Sequence, residues 1–245
     1  MDAGQSEEKR LNFRMLAVDY DRTIATDGKI LPNPQSALVE LKEAAWHCAL
    51  VTGRELDDLF SLCPAIGLFD LLVAENGAVL YLSDTKEIID RAAPPSPLFT
   101  AELQNLGIPF SSGRVIVATG SAHVEEVALV INRLKLDLKP ILNKDSAMYL
   151  PAGIDKATGL AAGAQILGID LSEVIGIGDA ENDLVFLRAC GYSVAVNNAI
   201  DQVKKAADYV TALPYGDGVA TFIRECILRQ DELVEVAPGA ASATD

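Results

Sequence analysis

The sequence is poor in basic residues and in aromatic residues. Its 245 residues include 20 lysines and arginines against 35 aspartates and glutamates, which gives a formal net charge of −15. Because no basic stripe is present to meet a phosphate backbone, this composition argues against nucleic-acid binding. A small anionic substrate remains compatible with the acidity, provided that a local cation offsets the field.

Cysteine is also scarce, and Cys48, Cys63, Cys190 and Cys226 form no CxxC pair. This spacing argues against both a disulfide framework and a zinc site. No apolar run reaches the roughly 18–20 residues of a membrane helix, and the polar start lacks the apolar stretch of a secretory signal. We therefore expect a cytoplasmic protein in a reducing compartment, without membrane partners. The sequence gives no basis for predicting an oligomeric state.

Half of the residues are hydrophobic, and they occur in short runs separated by helical patterns. Apolar runs without alternation predict buried strands at 16–19, 47–52, 71–74, 174–178 and 192–196. Helices are predicted at 34–45, 156–167, 184–189 and 217–228. This alternation is typical of an α/β fold, a Rossmann-like parallel sheet with helices on both faces.

The middle of the chain has a different pattern. Strands are predicted at 79–82, 87–91, 115–119 and 141–150, and helices near 97–106 and 124–135. We interpret residues 83–150 as a small α+β module inserted into an α/β core of residues 11–82 and 151–230. Residues 1–10 are expected to be flexible, and the Ala/Ser/acid-rich segment 231–245 to be disordered.

Two carboxylates follow the first predicted strand. Asp19 and Asp21 lie where open α/β sheets bind ligands, outside the carboxyl ends of the strands. A surface turn is the simpler alternative, and this motif alone does not decide between them. An EF-hand loop is excluded, because isoleucines occupy its glycine position (Ile24) and its bidentate acid position (Ile30).

Further polar groups follow later strands. Thr52 and Gly53 can bind phosphate oxygens, although a plain turn is the more common interpretation of Thr-Gly after a strand. Asp179 and Asp183 suit a hard cation. A dinucleotide-binding loop is excluded there, because its third glycine falls on Glu181. Lys156, at the start of a predicted helix, is the cation that a phosphate site needs.

Together these motifs resemble the haloacid dehalogenase (HAD) superfamily of phosphohydrolases. They are DxDxT at 19–23, VTGR at 51–54, AENGA at 74–78, DKATGL at 155–160, GIGDAEND at 176–183 and AVNNA at 195–199. More narrowly, the chain is similar to Cof-type (subfamily IIB) phosphatases with a short cap, such as phosphoglycolate phosphatase and sucrose-phosphatase-like proteins. The inserted module lies where that subfamily carries its cap domain.

The resemblance implies a Mg²⁺-dependent phosphatase that hydrolyses small phosphorylated metabolites, of the sugar phosphate or phosphoglycolate type, through an aspartyl-phosphate. Asp19 would be the nucleophile and Asp21 the general acid and base. Thr52 and Lys156 would hold the phosphoryl oxygens. Mg²⁺ would be bound by Asp19, the Asp21 carbonyl and Asp179, with Asp183 as outer support or additional ligand.

Contacts to the substrate are expected from Thr52, Gly53, Arg54 and Asn182. Arg114 and Lys144, near the ends of cap strands, are further candidates for contacting the leaving group, with a solvated charge as the alternative. Arg54 could instead pair with Glu75 to fix the loops.

One residue departs from the family pattern, because Arg22 replaces the glycine usual in DxDGT. Two other functions remain open at this stage. One is a phosphomutase, which would keep every motif and transfer the phosphoryl group to a sugar. The other is a regulatory or interaction module that has kept the fold without turnover.

Overall fold

The computed structural model describes residues 12–143 and 145–229. The expectations for residues 1–10 and 231–245, and the prediction for Lys144, lie outside these ranges. Within them, no helix has both the length and the apolar character needed to cross a lipid bilayer.

A large sheet of eight strands forms the centre of the molecule, in the order β14-β13-β12-β1-β4-β5-β6-β7. The strands from β14 to β5 are parallel, and β6 and β7 are antiparallel additions at one edge. Their bounds are β1 Met15–Asp19, β4 His47–Val51, β5 Leu71–Ala74, β6 Val79–Leu82, β7 Glu87–Asp90, β12 Val174–Gly178, β13 Tyr192–Ala195 and β14 Tyr209–Val210.

Every residue of β1 and of β12 is buried, so both faces of the sheet are covered at its centre. This is the environment that their unbroken apolar sequences predict. The α/β fold class with a central parallel sheet is therefore confirmed.

The helices are α1 Pro32–Glu43, α2 Leu56–Leu62, α3 Pro97–Asn105, α4 Val124–Leu134, α5 Lys156–Ile166, α6 Leu184–Leu187, α7 Asp201–Ala206 and α8 Tyr215–Phe222. A π-helical segment, Ile223–Leu228, continues α8. The start of α5 is fixed by a capping box in which Asp155 accepts the Thr158 N–H, and Thr158 reaches back to the main chain of Asp155. This box determines that Lys156 is the first residue of the helix.

A second sheet is antiparallel and has the order β10-β11-β9-β8. Its strands are β8 Phe110–Ser112, β9 Val117–Gly120, β10 Leu138–Asn143 and β11 Ser146–Pro151. We call this sheet, with α3 and α4, the cap.

Strand β11 shows how the cap is joined to the rest of the molecule. Ala147 and Tyr149 belong to a separate hydrophobic cluster within the cap. Met148 and Leu150 belong to the main core cluster. Because successive side chains of a strand point to opposite faces, one face of the cap sheet packs on its own helices and the other faces the α/β core.

Three features of strand pairing differ from the sequence-based expectation, and α2, α7, β8 and β14 were not predicted. The strand at Glu87–Asp90, predicted within the inserted module, pairs with β6 in the large sheet. The segment 141–150 is not one strand, because β10 and β11 form a hairpin in which Asn143 pairs with Ser146. A two-stranded hairpin of β2 Ala25–Thr26 and β3 Lys29–Ile30 was not predicted. Its turn residues Asp27 and Gly28 both have positive φ, as a two-residue Asp-Gly turn requires.

Candidate active site

The predicted polar residues meet at the carboxyl edge of the large sheet. Asp19 is the last residue of β1, Thr52 follows β4, and Asp179 follows β12. These strands are neighbours in the sheet, so their ends lie side by side. All three residues are buried.

Lys156 connects the buried carboxylates. Its Nζ lies 2.6 Å from Asp19 Oδ1 and 2.6 Å from Asp183 Oδ1, and its side chain is 2% exposed. Burial acts to lower the pKa of Lys156, but the carboxylates of Asp183 and Asp19 have the larger combined effect and raise it. The lysine therefore stays charged.

Three buried carboxylates lie close together here, and two of them, Asp19 and Asp183, contact Lys156. Asp19, Asp179 and Asp183 each offer an oxygen, and these oxygens lie within 4.8 Å of one another. Burial, followed by the charge of Asp183 and then that of Asp179, raises the pKa of Asp19 to about 8, although Lys156 opposes the shift. With all groups ionised, the cluster has a charge of −2. This charge and the oxygen donors fit a divalent metal, which the cluster could bind.

Asp183 also fixes the loop after β12. Its Oδ2 accepts the N–H groups of Asp179 and Ala180, both at 2.9 Å. A Cβ at Gly178 would lie 2.7 Å from the Asp183 side chain, so the loop needs glycine at that position. Three hydrogen bonds of 2.6–2.9 Å engage both oxygens of Asp183, and Asp183 is not among the described residues that line the cavity, whereas Asp179 is. Its geometry therefore suits support of the site better than direct ligation.

Asp21 forms a two-pronged ion pair with Arg54. The guanidinium Nε and one terminal nitrogen lie 2.7 Å and 2.8 Å from the two carboxylate oxygens. Hydrogen bonding to Asp21 is the main cause that raises the pKa of Arg54. The alternative in which Arg54 pairs with the Glu75 carboxylate is wrong. Only the Arg54 carbonyl meets that residue, by accepting the Glu75 N–H.

Two further residues of the first loop contact Asp179. The Thr23 hydroxyl donates to Asp179 Oδ1 at 3.3 Å, and Arg22 Nε lies 3.5 Å from Oδ2. Thr23 belongs to the DxDxT motif, but the motif alone did not indicate that its hydroxyl would hold Asp179.

A cavity of about 240 Å³ opens onto these groups. The core contributes Asp19, Asp21, Thr52, Gly53, Arg54, Glu55, Asp58, Lys156, Asp179, Ala180 and Asn182, and the cap side contributes Ser111, Ile116, Ala118, Asn143, Ser146 and Met148. The cavity thus lies between the carboxyl edge of the sheet and the inner face of the cap. The cap residues were not predicted, because their neutral side chains carry no motif.

Arg114 is not among the described residues that line this cavity. Its guanidinium forms an ion pair with Asp90 on β7, with distances of 2.6 Å and 2.8 Å. The structure therefore does not support the predicted contact between Arg114 and the leaving group.

Asn182 lies at the cavity wall, where it is hydrogen-bonded to Asn76 in the short turn after β5. Its Nδ2 donates to Asn76 Oδ1 at 3.3 Å. Asn76 in turn donates to the Met148 sulfur at 2.9 Å. A chain of side chains therefore runs from the catalytic loop after β12 to the cap.

Comparison with known proteins identifies the family and the fold. A family model described as haloacid dehalogenase-like hydrolase matches residues 142–223. The phosphoglycolate phosphatase of Methanothermobacter thermautotrophicus is 30% identical over 220 residues, which cover 86% of this chain and 98% of that protein.

Two solved structures share the fold. A haloacid dehalogenase-like hydrolase from Bacteroides thetaiotaomicron superposes with a TM-score of 0.76 at 21% identity, covering 87% of this chain and 99% of that one. A subclass IIB sugar phosphatase of the same superfamily gives 0.70 at 21% identity, with 86% and 98% covered.

The fold, the acidic site and the similarity to known phosphatases together define this protein as a phosphatase. The chain belongs to the haloacid dehalogenase-like hydrolases.

Proposed function

We propose that the protein is a Mg²⁺-dependent phosphatase of small phosphorylated metabolites, of the sugar phosphate or phosphoglycolate type, and that it acts through an aspartyl-phosphate. The main support is the buried Lys156 ammonium, which lies 2.6 Å from the Asp19 carboxylate at the floor of the cavity. This geometry puts a cation beside the aspartate that would attack phosphorus and where phosphoryl oxygens would lie.

In the first half-reaction an Asp19 oxygen attacks phosphorus, and the bond from phosphorus to the ester oxygen breaks. Asp21 gives its proton to that oxygen, so the leaving group departs as an alcohol. In the second half-reaction Asp21 takes a proton from water as the water oxygen attacks phosphorus. The bond to Asp19 breaks, and inorganic phosphate leaves.

Arg54 orients Asp21 for these proton transfers. Two guanidinium nitrogens of Arg54 donate to the two carboxylate oxygens of Asp21. One of these hydrogen bonds must break for Asp21 to carry a proton. Thr52 is suited to bind a phosphoryl oxygen. Its Oγ1 already accepts the Arg54 N–H at 3.1 Å, so its own hydroxyl proton is available to a ligand.

Mg²⁺ would be held by Asp19, Asp179 and the main-chain carbonyl of Asp21, with Asp183 as outer support. When bound, the cation would neutralise phosphate charge and orient the phosphoryl group. The donor set supports this choice, because Mg²⁺ prefers carboxylate and carbonyl oxygens to nitrogen or sulfur.

The size and lining of the cavity support a small substrate. About 240 Å³ accommodates a short phosphorylated metabolite but not a folded phosphoprotein. The polar cap residues Ser111, Asn143 and Ser146 suit the hydroxyls of a sugar phosphate. Arg54 lines the core side of the cavity, and its Nε and one terminal nitrogen meet Asp21. Its other terminal nitrogen suits the carboxylate of 2-phosphoglycolate, the substrate type in the name of the Methanothermobacter relative. Lys144 remains a predicted contact.

We further propose that the enzyme works in the cytoplasm and does not bind nucleic acid. No disulfide joins any of the four cysteines, all of which lie within the described ranges, which suits a reducing compartment. The net charge of −15 would repel a nucleic acid. We also propose that the cap selects the leaving group and excludes water when it closes over the site.

The test separates the two aspartates. Asp19→Asn is expected to abolish turnover with every phosphate ester, because the attacking oxygen is lost. Asp21→Asn is expected to slow alkyl phosphates by about 10²–10⁴-fold, the usual contribution of a general acid. An aryl phosphate needs little help from an acid, so it should give a burst of phenolate near one equivalent per enzyme, then slow turnover. Mass spectrometry should detect phosphate on the peptide that contains Asp19.

Each alternative has its own outcome. Full steady-state activity of Asp21→Asn, without a burst or adduct, would show that Asp21 is not the acid and base. Activity that survives complete metal removal would contradict the metal assignment. Transfer of phosphate to an added sugar would indicate a mutase, and no turnover of any phosphorylated metabolite by the wild type would favour a non-catalytic module.

A further inference from the structure

A buried carboxylate outside the reaction chemistry lies beneath the cap. Glu75 follows β5 directly and has no exposed surface. Its Oε1 accepts the Arg114 N–H at 2.9 Å, and its Oε2 accepts the N–H groups of Val115 and Ile116 at 2.8 Å and 2.9 Å. A carboxylate of the core is thus held by the main chain of the segment that leads into cap strand β9.

On both the cap side and the core side, the local main chain is adapted to this close contact. A Cβ at Gly113 would lie 2.5 Å from Glu75 Oε1, so only glycine lets the cap segment approach so closely. On the core side, Glu75 and Asn76 both have a φ of 51°. Two successive non-glycine residues in the left-handed region are costly and persist only where the surroundings hold them.

The segment that Glu75 holds forms part of the cavity wall. Ile116 donates its N–H to Glu75, lines the cavity and packs in the main core cluster. Next to Glu75, the Asn76 amide reaches Met148, which also lines the cavity. Glu75 therefore contacts the main chain of Ile116, and Asn76 contacts the side chain of Met148. Both of these apolar cap residues line the cavity.

From this geometry we infer that Glu75 is a positioning residue. It holds the docked cap close enough to the core for Ile116 and Met148 to form the part of the cavity wall that contacts the leaving group. The inference rests on the proposed phosphatase function. Buried carboxylates carry a large desolvation penalty unless donors meet them. Here the three N–H donors are in reach only when the cap is docked, so Glu75 favours the docked arrangement.

The test compares Glu75→Gln with the wild type on two phosphoryl donors. Glutamine keeps the size but has one acceptor oxygen and turns an NH₂ group toward main-chain donors. With 2-phosphoglycolate or glucose 6-phosphate, whichever the wild type hydrolyses faster, we expect kcat/KM to fall at least about tenfold, mostly through a rise in KM. With acetyl phosphate, whose leaving group is too small to need the wall, kcat/KM should stay within about threefold.

A second measurement follows the contact directly. Hydrogen exchange of the Val115 and Ile116 amides should be faster in Glu75→Gln, because their acceptor is weakened. Glu75→Asp, which keeps the charge and both oxygens, should recover part of the loss. Asp90→Asn is the matched control. It breaks the exposed Arg114–Asp90 pair on the same segment and should leave the ratio of the two activities unchanged.

The outcomes separate the two proposals. If Glu75→Gln lowers both activities equally, or leaves the ratio and the amide exchange at wild-type values, the positioning role is wrong. If the wild type hydrolyses neither metabolite ester, the proposed function fails, whereas the exchange experiment still decides whether Glu75 docks the cap.

Discussion

Arg22 lies in the loop after β1, where its side chain would compete with a cation bound by the aspartates. Its φ is 65°, a conformation that costs a non-glycine residue about 1 kcal/mol. Asn198 donates to its carbonyl at 2.8 Å and helps to hold this conformation. The guanidinium Nε is 3.5 Å from Asp179 Oδ2, so a positive charge lies beside an oxygen that we assign to Mg²⁺.

We expect Arg22→Gly to tighten Mg²⁺ binding by about two- to fivefold, because a half-exposed charge pair contributes on the order of 0.5–1 kcal/mol. Isothermal titration calorimetry would measure the dissociation constant. Arg22→Lys keeps the charge and should bind Mg²⁺ like the wild type. Weaker binding by the glycine variant would mean that Arg22 supports the site rather than competes with the ion.

The residues of the site were predictable where a motif marks them. Asp19, Thr52 and Asp179 end parallel strands, and such ends meet at one edge of a sheet. Glu75 was not predictable as a cap contact, because its partners are main-chain N–H groups about 40 residues further along the chain, which no side-chain pattern marks. The pairing of Arg114 with Asp90 was missed for a related reason. A charge near a strand end does not reveal which neighbour will neutralise it.

The short helical turn Glu75–Gly77 packs against the start of α5. Gly77 has a φ of 96°, and a Cβ there would lie 2.0 Å from the Asp155 carbonyl oxygen. Since Asp155 caps α5 and Lys156 begins it, the turn and the buried Lys156 share one tightly packed contact.

Gly77→Ala is therefore expected to destabilise the protein by about 2–4 kcal/mol, since it combines main-chain overlap with a disfavoured φ. Activity measured below the unfolding transition should fall as well, because α5 must move with Lys156. Gly168→Ala provides the comparison. Its φ is 69°, but a Cβ there would meet nothing within 4 Å, so only the conformational cost of about 1 kcal/mol applies. Denaturant unfolding would measure both, and equal losses would contradict the packing argument.

The elements of the core were predictable because apolar runs and capping signals mark their type. The wrong predictions concern segments whose assignment depends on which strand they pair with. The sequence Glu87–Asp90 indicates a strand, but nothing local tells whether its partner is β6 or a cap strand. The turn between β10 and β11 contains Lys144 and Asp145 and lacks the glycine that would mark a two-residue turn. A continuous strand was therefore the natural but wrong interpretation.

The protein as a whole carries an acidic cluster whose charge depends on pH. The pKa of Asp19 is raised from 3.8 to about 8, so the folded protein holds a proton that the unfolded chain releases as the pH rises above about 4. The stability of the metal-free protein should therefore fall as the pH rises from about 4 to about 8. A bound cation removes this penalty, because it takes the place of the proton.

We expect saturating Mg²⁺ to raise the melting temperature more at pH 8 than at pH 5, where protons compete for the same oxygens. Thermal unfolding at both pH values, with and without Mg²⁺, measures this difference. Asp179→Asn should lose most of the Mg²⁺ effect and, with one buried charge fewer, should melt higher than the wild type without metal at pH 8. An equal Mg²⁺ effect at the two pH values would contradict the assignment of the ion to this cluster.

Neighbouring residues of β11 point to opposite faces of the cap sheet, so their replacement should have different effects. At some positions it should impair folding, and at others it should change the substrate preference. Ala147 and Tyr149 face the interior of the cap, so random replacement there should mostly yield poorly folded protein. Met148 lies between them in sequence but faces the cavity, so replacement there should mostly change which esters are accepted. For a combinatorial library aimed at new substrates, Met148 is therefore the position to randomise, with both of its neighbours kept as they are.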